Sequence, residues 1–176
     1  MNISEKIDKS TVVYKGKFIN VEKVEVTLPN GHSACRDIIR HPGACAVVAM
    51  NDHDEIIMIR QYRTAFDKVF IEIPAGKIDP GEDPLICAKR ELKEETGYVS
   101  DDFCFLSKIA LAPGYSDELI HLYLARNIRY EGISLDDDEF LSIEKISLKK
   151  AVQMVMNGDI ENSIAMIAVM LVSSME

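Results

Sequence analysis

The segment Gly76–Gly97, GKIDPGEDPLICAKRELKEETG, constrains this 176-residue chain more than any other. Asp83 followed by Pro84 predicts a helix start, with a capping carboxylate and then a residue whose missing N–H is no loss in the first turn. Leu85, Ala88 and Leu92 continue as an apolar stripe, and Gly97 predicts the stop. On such a helix Glu91, Glu94 and Glu95 stand at i, i+3 and i+4 and share one face. Like charges at that spacing cost an isolated helix about 0.2–0.5 kcal/mol per pair. Acidic faces are commonly just solvated, above all near a helix N-terminus. These three lie in the last turns, where the helix dipole disfavours them. That position argues for a bound cation, and an all-oxygen donor set selects a hard ion, Mg2+ or Mn2+, over zinc. Arg90, one turn before Glu94, is placed to orient that carboxylate.

Strand patterns surround this helix. Thr11–Tyr14, Phe18–Thr27 and Ser33–Arg40 are rich in β-branched and aromatic residues, and Asn30-Gly31 between the last two predicts a hairpin. Ala44–Met50, Glu55–Gln61 and Phe70–Ile73 predict three more strands before the helix. Asp102–Leu111, Glu118–Ala125 and Phe140–Ile146 predict strands after it. Leu148–Asn157 and Ile160–Ser173 predict closing helices around a Gly158-Asp159 break. The expectation is an α+β chain, with an N-terminal antiparallel β-subdomain over residues 1–42 and a main domain over 43–176.

Charge and composition exclude several roles. The net charge of −9 disfavours binding to a nucleic acid backbone or an anionic membrane surface. The N-terminal decapeptide is too polar for a secretory signal, and the apolar run near Ile164–Val172 is too short to span a bilayer. Cys35, Cys45, Cys87 and Cys104 form no C-x-x-C pair, which fits a reduced, cytoplasmic compartment. Cys87, one turn before Glu91, is read as a small buried residue rather than a ligand. The four histidines show no ligand spacing.

The same segment resembles the signature of the Nudix hydrolases, G-x5-E-x7-R-E-U-x-E-E-x-G-U, where U is bulky and apolar. Gly76, Glu82, Arg90, Glu91, Leu92, Glu94, Glu95 and Gly97 match, with Tyr98 at a final position where aliphatics are usual. The resemblance implies a Nudix-type α/β/α sandwich of mixed sheets. It also implies metal-dependent hydrolysis of a nucleoside diphosphate linked to another moiety. On that pattern Glu91 and Glu95 are the principal metal ligands, with Glu94 and the Ala75 carbonyl auxiliary. Arg90 orients a ligand carboxylate, and Glu82, Gly76 and Gly97 are structural.

Further segments, KGKFINVEKVEVTLPNG, RDIIRHPG, IRQYR and EIPAGKIDPGE, resemble the ADP-ribose pyrophosphatase branch. Pro113, sixteen residues after Gly97 and followed by Gly114, matches that branch's substrate marker. Ala112 stands where serine is commoner. The resemblance implies cleavage of ADP-ribose to AMP and ribose 5-phosphate. It places Glu139, with Asp138 as the alternative, as general base in the acidic run Asp136–Glu139. Arg63 then faces the diphosphate and Glu72 the same cleft. Phe18, Arg36 and Asp37 match adenine contacts, Arg36 reaching from a partner subunit, although Phe18 can equally be core and Arg36 plain surface. A homodimer through the N-terminal strands follows from the same branch. The rivals are another nucleotide sugar, NADH or FAD as substrate, or a non-catalytic nucleotide-sensing module.

Overall fold

The computed structural model describes residues 2–133, 135 and 140–175. The chain forms two compact units, Met1–Gly43 with Ile109–Ile120, and Ala44–Lys108 with His121–Glu176.

The first unit is built on strands β1 (Lys6–Lys15), β2 (Asn20–Thr27) and β3 (Ser33–Arg40), which pair antiparallel in that order. The hairpin between β2 and β3 forms where Asn30-Gly31 predicts it: Gly31 has φ +85°, and Leu28 N–H bonds the His32 carbonyl at 2.8 Å. β2 alternates, with Val24 and Val26 buried and their neighbours open. β1 is exposed along its whole length. It begins at Lys6 rather than Thr11, because the ladder with β2 supplies backbone partners whatever the side chains are. Phe18 falls outside the strand predicted for it, in a turn closed by Gly16 N–H on the Ile19 carbonyl.

The Ile109–Ile120 segment is fastened to β3 within this unit. Ile39 N–H donates to the Tyr115 carbonyl at 2.7 Å, and Asp117 N–H returns to the Ile39 carbonyl at 3.2 Å. Arg40 bridges Asp117 and Glu22, at 3.0 Å to each.

The second unit holds β4 (Ala44–Met50), β5 (Glu55–Arg63), β6 (Lys68–Glu72), β7 (Ala75–Lys77), helix α1 (Pro84–Thr96), β8 (Tyr98–Val99), the strands β9 (Asp102–Ala110) and β10 (Leu119–Arg126), which cross its boundary, β11 (Arg129–Tyr130), β12 (Leu141–Ser147), α2 (Leu148–Asn157) and α3 (Ser163–Ser173). Strands run in the order β12-β5-β4-β10-β9, with β6 on β5 and β7 on β4. β4 is buried at every position. Its odd residues, Cys45, Val47 and Ala49, pack with Cys87, Ala88 and Leu92 of α1. Strand alternation turns Ala46, Val48 and Met50 to the opposite face. There α3 packs on β4 and β6, and α2 on β5 and β12. This is an α+β Nudix-type sandwich, with helices on both faces of a mixed sheet.

Helix α3 starts at Ser163, not Ile160, because the Asn162 side chain caps it by accepting from Ala165 N–H at 2.9 Å. The short strands β7, β8 and β11 carry no pattern long enough to read from sequence.

Candidate active site

Helix α1 forms over the predicted span. The Asp83 carboxylate accepts from Leu85 N–H at 2.9 Å, Pro84 occupies the first turn, and Gly97 closes the helix at φ +72° with its N–H on the Lys93 carbonyl. A side chain at Gly97 would meet Tyr130 and the backbone of Gly132 and Ile133 within 2.7 Å, so backbone sign and space both require glycine.

The acidic face is inside the fold. Glu91 is 8% exposed and Glu95 2%. Glu95 Oε2 accepts the Ala75 N–H at 2.9 Å. Glu91 lies against the backbone of Gly76, where a Cβ would stand 1.9 Å from its Oε1. Strand β7 is held on β4 by Ala46–Ala75 and Cys45–Gly76 pairing, which fixes the backbone those carboxylates rest on.

Arg90 organises the cluster. Its Nε and Nη2 donate to the two oxygens of Glu82, at 2.9 and 3.0 Å. Its Nη1 donates to Glu91 at 2.7 Å and Glu94 at 2.9 Å, and Nη2 also reaches the Lys77 carbonyl at 3.1 Å. The guanidinium fork holds the Glu82 carboxyl at about 2, well below its ordinary value. The carboxylates in turn push the Arg90 pKa up, Glu82 most strongly. Cys87 is fully buried and points its thiol at the Lys77 carbonyl, at 3.4 Å. The adjacent Cys45 thiol and burial raise its pKa, so it stays a neutral packing residue.

The donor set suits a small hard cation: buried carboxylate oxygens beside a backbone that leaves no room for a side chain. Among the described residues no three His, Cys, Asp or Glu side chains already converge as a metal-binding group, and Arg90 is shared among Glu82, Glu91 and Glu94.

Arg63 and Glu72 lie on one face of the β5–β6 hairpin, Arg63 opposite Lys68 and Glu72 opposite Ile59, and their side chains meet along that face. Arg63 Nε and Nη2 donate to the two oxygens of Glu72, at 3.0 and 2.5 Å, and Glu72 is 3% exposed. The sequence offered each as a cleft residue but not as a pair, since they do not stand directly opposite each other across the hairpin. Pro113 and Gly114 occupy an exposed turn of the first unit, closed by Tyr115 N–H on the Ala112 carbonyl at 3.0 Å. Arg36 and Asp37 stand on β3 in that unit, Arg36 bonded to Glu5 at 2.5 Å. Phe18 makes an edge contact with His41 at 6.3 Å. Asp136–Glu139 lie outside the described residues.

Comparison with known proteins gives the family. The NUDIX domain model matches residues 39–165, and the chain belongs to the Nudix family. It is a Nudix pyrophosphohydrolase. It is 41% identical over 167 residues to the methanol dehydrogenase activator of Bacillus methanolicus, covering 94% of this chain and 90% of that one. It is 37% identical over 161 residues to the ADP-ribose pyrophosphatase of Bacillus subtilis (strain 168), covering 90% and 87%. The crystal structure of an ADP compounds hydrolase superposes with a TM-score of 0.86 at 26% identity, over 99% of this chain and 95% of that one. Nudix hydrolases generally use divalent metal ions.

Proposed function

We propose that this chain hydrolyses the diphosphate linkage of ADP-ribose to AMP and ribose 5-phosphate, with Mg2+ or Mn2+ as the metal. The buried Glu91–Glu95 face, locked by Arg90 and seated on the Gly76 backbone, carries the reading. Glu91, Glu95, Glu94 and the Ala75 carbonyl would hold the cation. When bound, a divalent ion there would supply charge neutralisation and Lewis acidity at the diphosphate. Water adds to phosphorus as the bridging P–O bond breaks, and Glu139 takes the water's proton. Arg63, oriented by Glu72, faces the diphosphate, with the Pro113-Gly114 turn at the substrate. Phe18, Arg36 and Asp37 contact adenine.

Residues 1–42 serve in the same proposal as a dimerisation and adenine-binding subdomain of a homodimer. A cytoplasmic location is supported by the free state of all four cysteines. No helix among the described residues is long and apolar enough to cross a membrane.

The test is phosphate release with added phosphatase across a nucleotide panel, with and without metal. ADP-ribose should lead, and activity should vanish on chelation. Preference for another nucleotide sugar, NADH or FAD would overturn the substrate, and no turnover at all would favour a sensing module. A second reading, action on a dehydrogenase, is favoured by the likeness to a methanol dehydrogenase activator. Faster methanol oxidation by such an enzyme on adding this chain would support it.

A further inference from the structure

The connection from β9 to β10 carries the Pro113-Gly114 turn and is fastened to β3 by an isolated parallel bridge, Ile39 to Ser116. Two backbone bonds to Ile39 are a slender hold on so long a loop, and a side chain reinforces them. Asp117 Oδ1 accepts the backbone N–H of His41 at 2.9 Å, and its Oδ2 accepts from Arg40 Nη1 at 3.0 Å. Arg40 is held from the other side as well. Its Nε donates to Glu22 Oε2 on β2, and that same oxygen accepts from Ser10 Oγ on β1 at 2.8 Å. The bonds run from β1 through β2 and β3 into the connection, all within the first unit.

The Arg40 and Asp117 side chains are 37% and 42% exposed. Ion pairs so open to water contribute only about 0–1 kcal/mol to folding. What a carboxylate gains from donors on two successive residues is direction: the loop is fixed in orientation as well as in distance. The same strand end also backs Phe18, whose ring stands edge-on to that of His41 at 6.3 Å. In the functional reading Phe18 takes adenine and the Pro113-Gly114 turn lies at the substrate. Both then take their places from Ile39, Arg40 and His41.

We propose that Asp117 is a positioning residue for substrate binding. Through Arg40 and the His41 N–H it holds the Pro113-Gly114 turn in register with Phe18, and it sets affinity for the nucleoside diphosphate without taking part in bond breaking. The inference rests on the hydrolase reading above.

The experiment compares full-length Asp117→Ala, Arg40→Met and the double variant by steady-state kinetics on ADP-ribose, metal titration and thermal melting. Asp117→Ala removes both acceptors and should raise KM about tenfold, with kcat within about twofold and half-saturating Mg2+ unchanged. Arg40→Met leaves the His41 N–H its acceptor and should raise KM about threefold. The double variant should match Asp117→Ala, because the Arg40 contribution passes through the same carboxylate. Melting temperatures should stay within about 4 °C of the wild type. A lower melting temperature with unchanged KM would overturn the proposal, since the network would then serve the fold, and failure of both single variants to fold would overturn it for the same reason. A penalty that falls on kcat or on metal response, or a double variant whose KM multiplies the two single effects, would overturn it too. A wild-type chain inactive on every ADP compound overturns the hydrolase reading and this inference together. An active wild type with indifferent variants overturns this inference alone.

Discussion

The α1 face and strand β1 are opposites in how they use charge and apolar surface. Around α1, acids are drawn in: Glu91 is buried and, with the half-buried Glu94 and Glu82, converges on one guanidinium, and Glu95 is almost sealed. Along β1, hydrophobics are exposed: Ile7, Val12, Val13 and Tyr14 are all more than half open to solvent. Burying carboxylates is costly unless a counter-charge meets them, and exposing a row of apolar side chains is costly unless something covers them. Each region therefore departs from what folding alone would choose, in opposite directions. In the proposed function the α1 face takes a ligand that brings positive charge, and β1 takes a partner that brings apolar surface.

The sharpest way to break this contrast is Glu95→Gln. If the α1 face exists to hold a cation, kcat should fall about a thousandfold or more at saturating Mg2+, while the melting temperature holds or rises because a like-charge repulsion is gone. Steady-state kinetics with thermal melting checks both. Near-normal turnover would reduce the face to a structural ion-pair cluster.

Next in size is the acid response of the Arg90 network. The folded-state pKa of Glu82 is about 2, against an ordinary 4.5. A depressed carboxyl pKa stabilises the fold fully above the unfolded value and loses that contribution as pH falls from 4.5 towards 2. The shift corresponds to about 3 kcal/mol at neutral pH. Urea unfolding of the wild type and Glu82→Gln should differ by about that much at pH 7, and clearly less at pH 3. An equal gap at both pH values would mean that the Arg90–Glu82 pair does not titrate with folding.

How much of this was legible beforehand differs between the regions for physical reasons. The helix limits were readable because Asp83, Pro84 and Gly97 act locally on their own backbone. So was the β2–β3 hairpin, from Asn30-Gly31. The α1 acidic face was readable because helical spacing alone brings Glu91, Glu94 and Glu95 together. Ladder-dependent facts were not. The Arg63–Glu72 pair, the early start of β1, the annexation of residues 109–120 by β3 and the buried Gln61 Oε1, which lacks a hydrogen-bond partner among the described residues, all arise between separate segments rather than within one. Gln61 did leave one trace, a polar residue at an inward position in an Ile-x-Ile-x-Gln alternation.

Gly76→Ala probes the seat of the α1 face with a smaller expected effect. The new methyl would overlap the Glu91 carboxylate, which must move out of the geometry that Arg90 and β7 give it. Because the obstacle is the end of a side chain, the fold should survive. kcat/KM should drop about thirtyfold, with half-saturation shifted to higher Mg2+. Metal titrations of activity, read beside a circular dichroism spectrum, separate that outcome from misfolding. Unchanged metal dependence would detach Gly76 from the site.

The smallest effect is expected on the other side of the contrast, at Val13→Asp. β1 is the edge of a three-stranded sheet and bears an apolar row, and an exposed edge of that kind invites pairing with another chain. If a second copy covers it, light scattering at micromolar protein should give about twice the 19.7 kDa chain mass. Burying one valine side chain is worth about 1.5 kcal/mol, so a charge in its place should weaken self-association at least about tenfold. The second unit has its own core, so its stability should be unaffected, and the metal dependence of the reaction should stay as in the wild type. Any loss should appear in KM for adenine nucleotides, because Phe18 and Arg36 belong to the unit whose partner has been displaced. A full-length monomer with normal ADP-ribose turnover would show that β1 needs no partner. The exposed row would then be a tolerated surface rather than the counterpart of the buried acids.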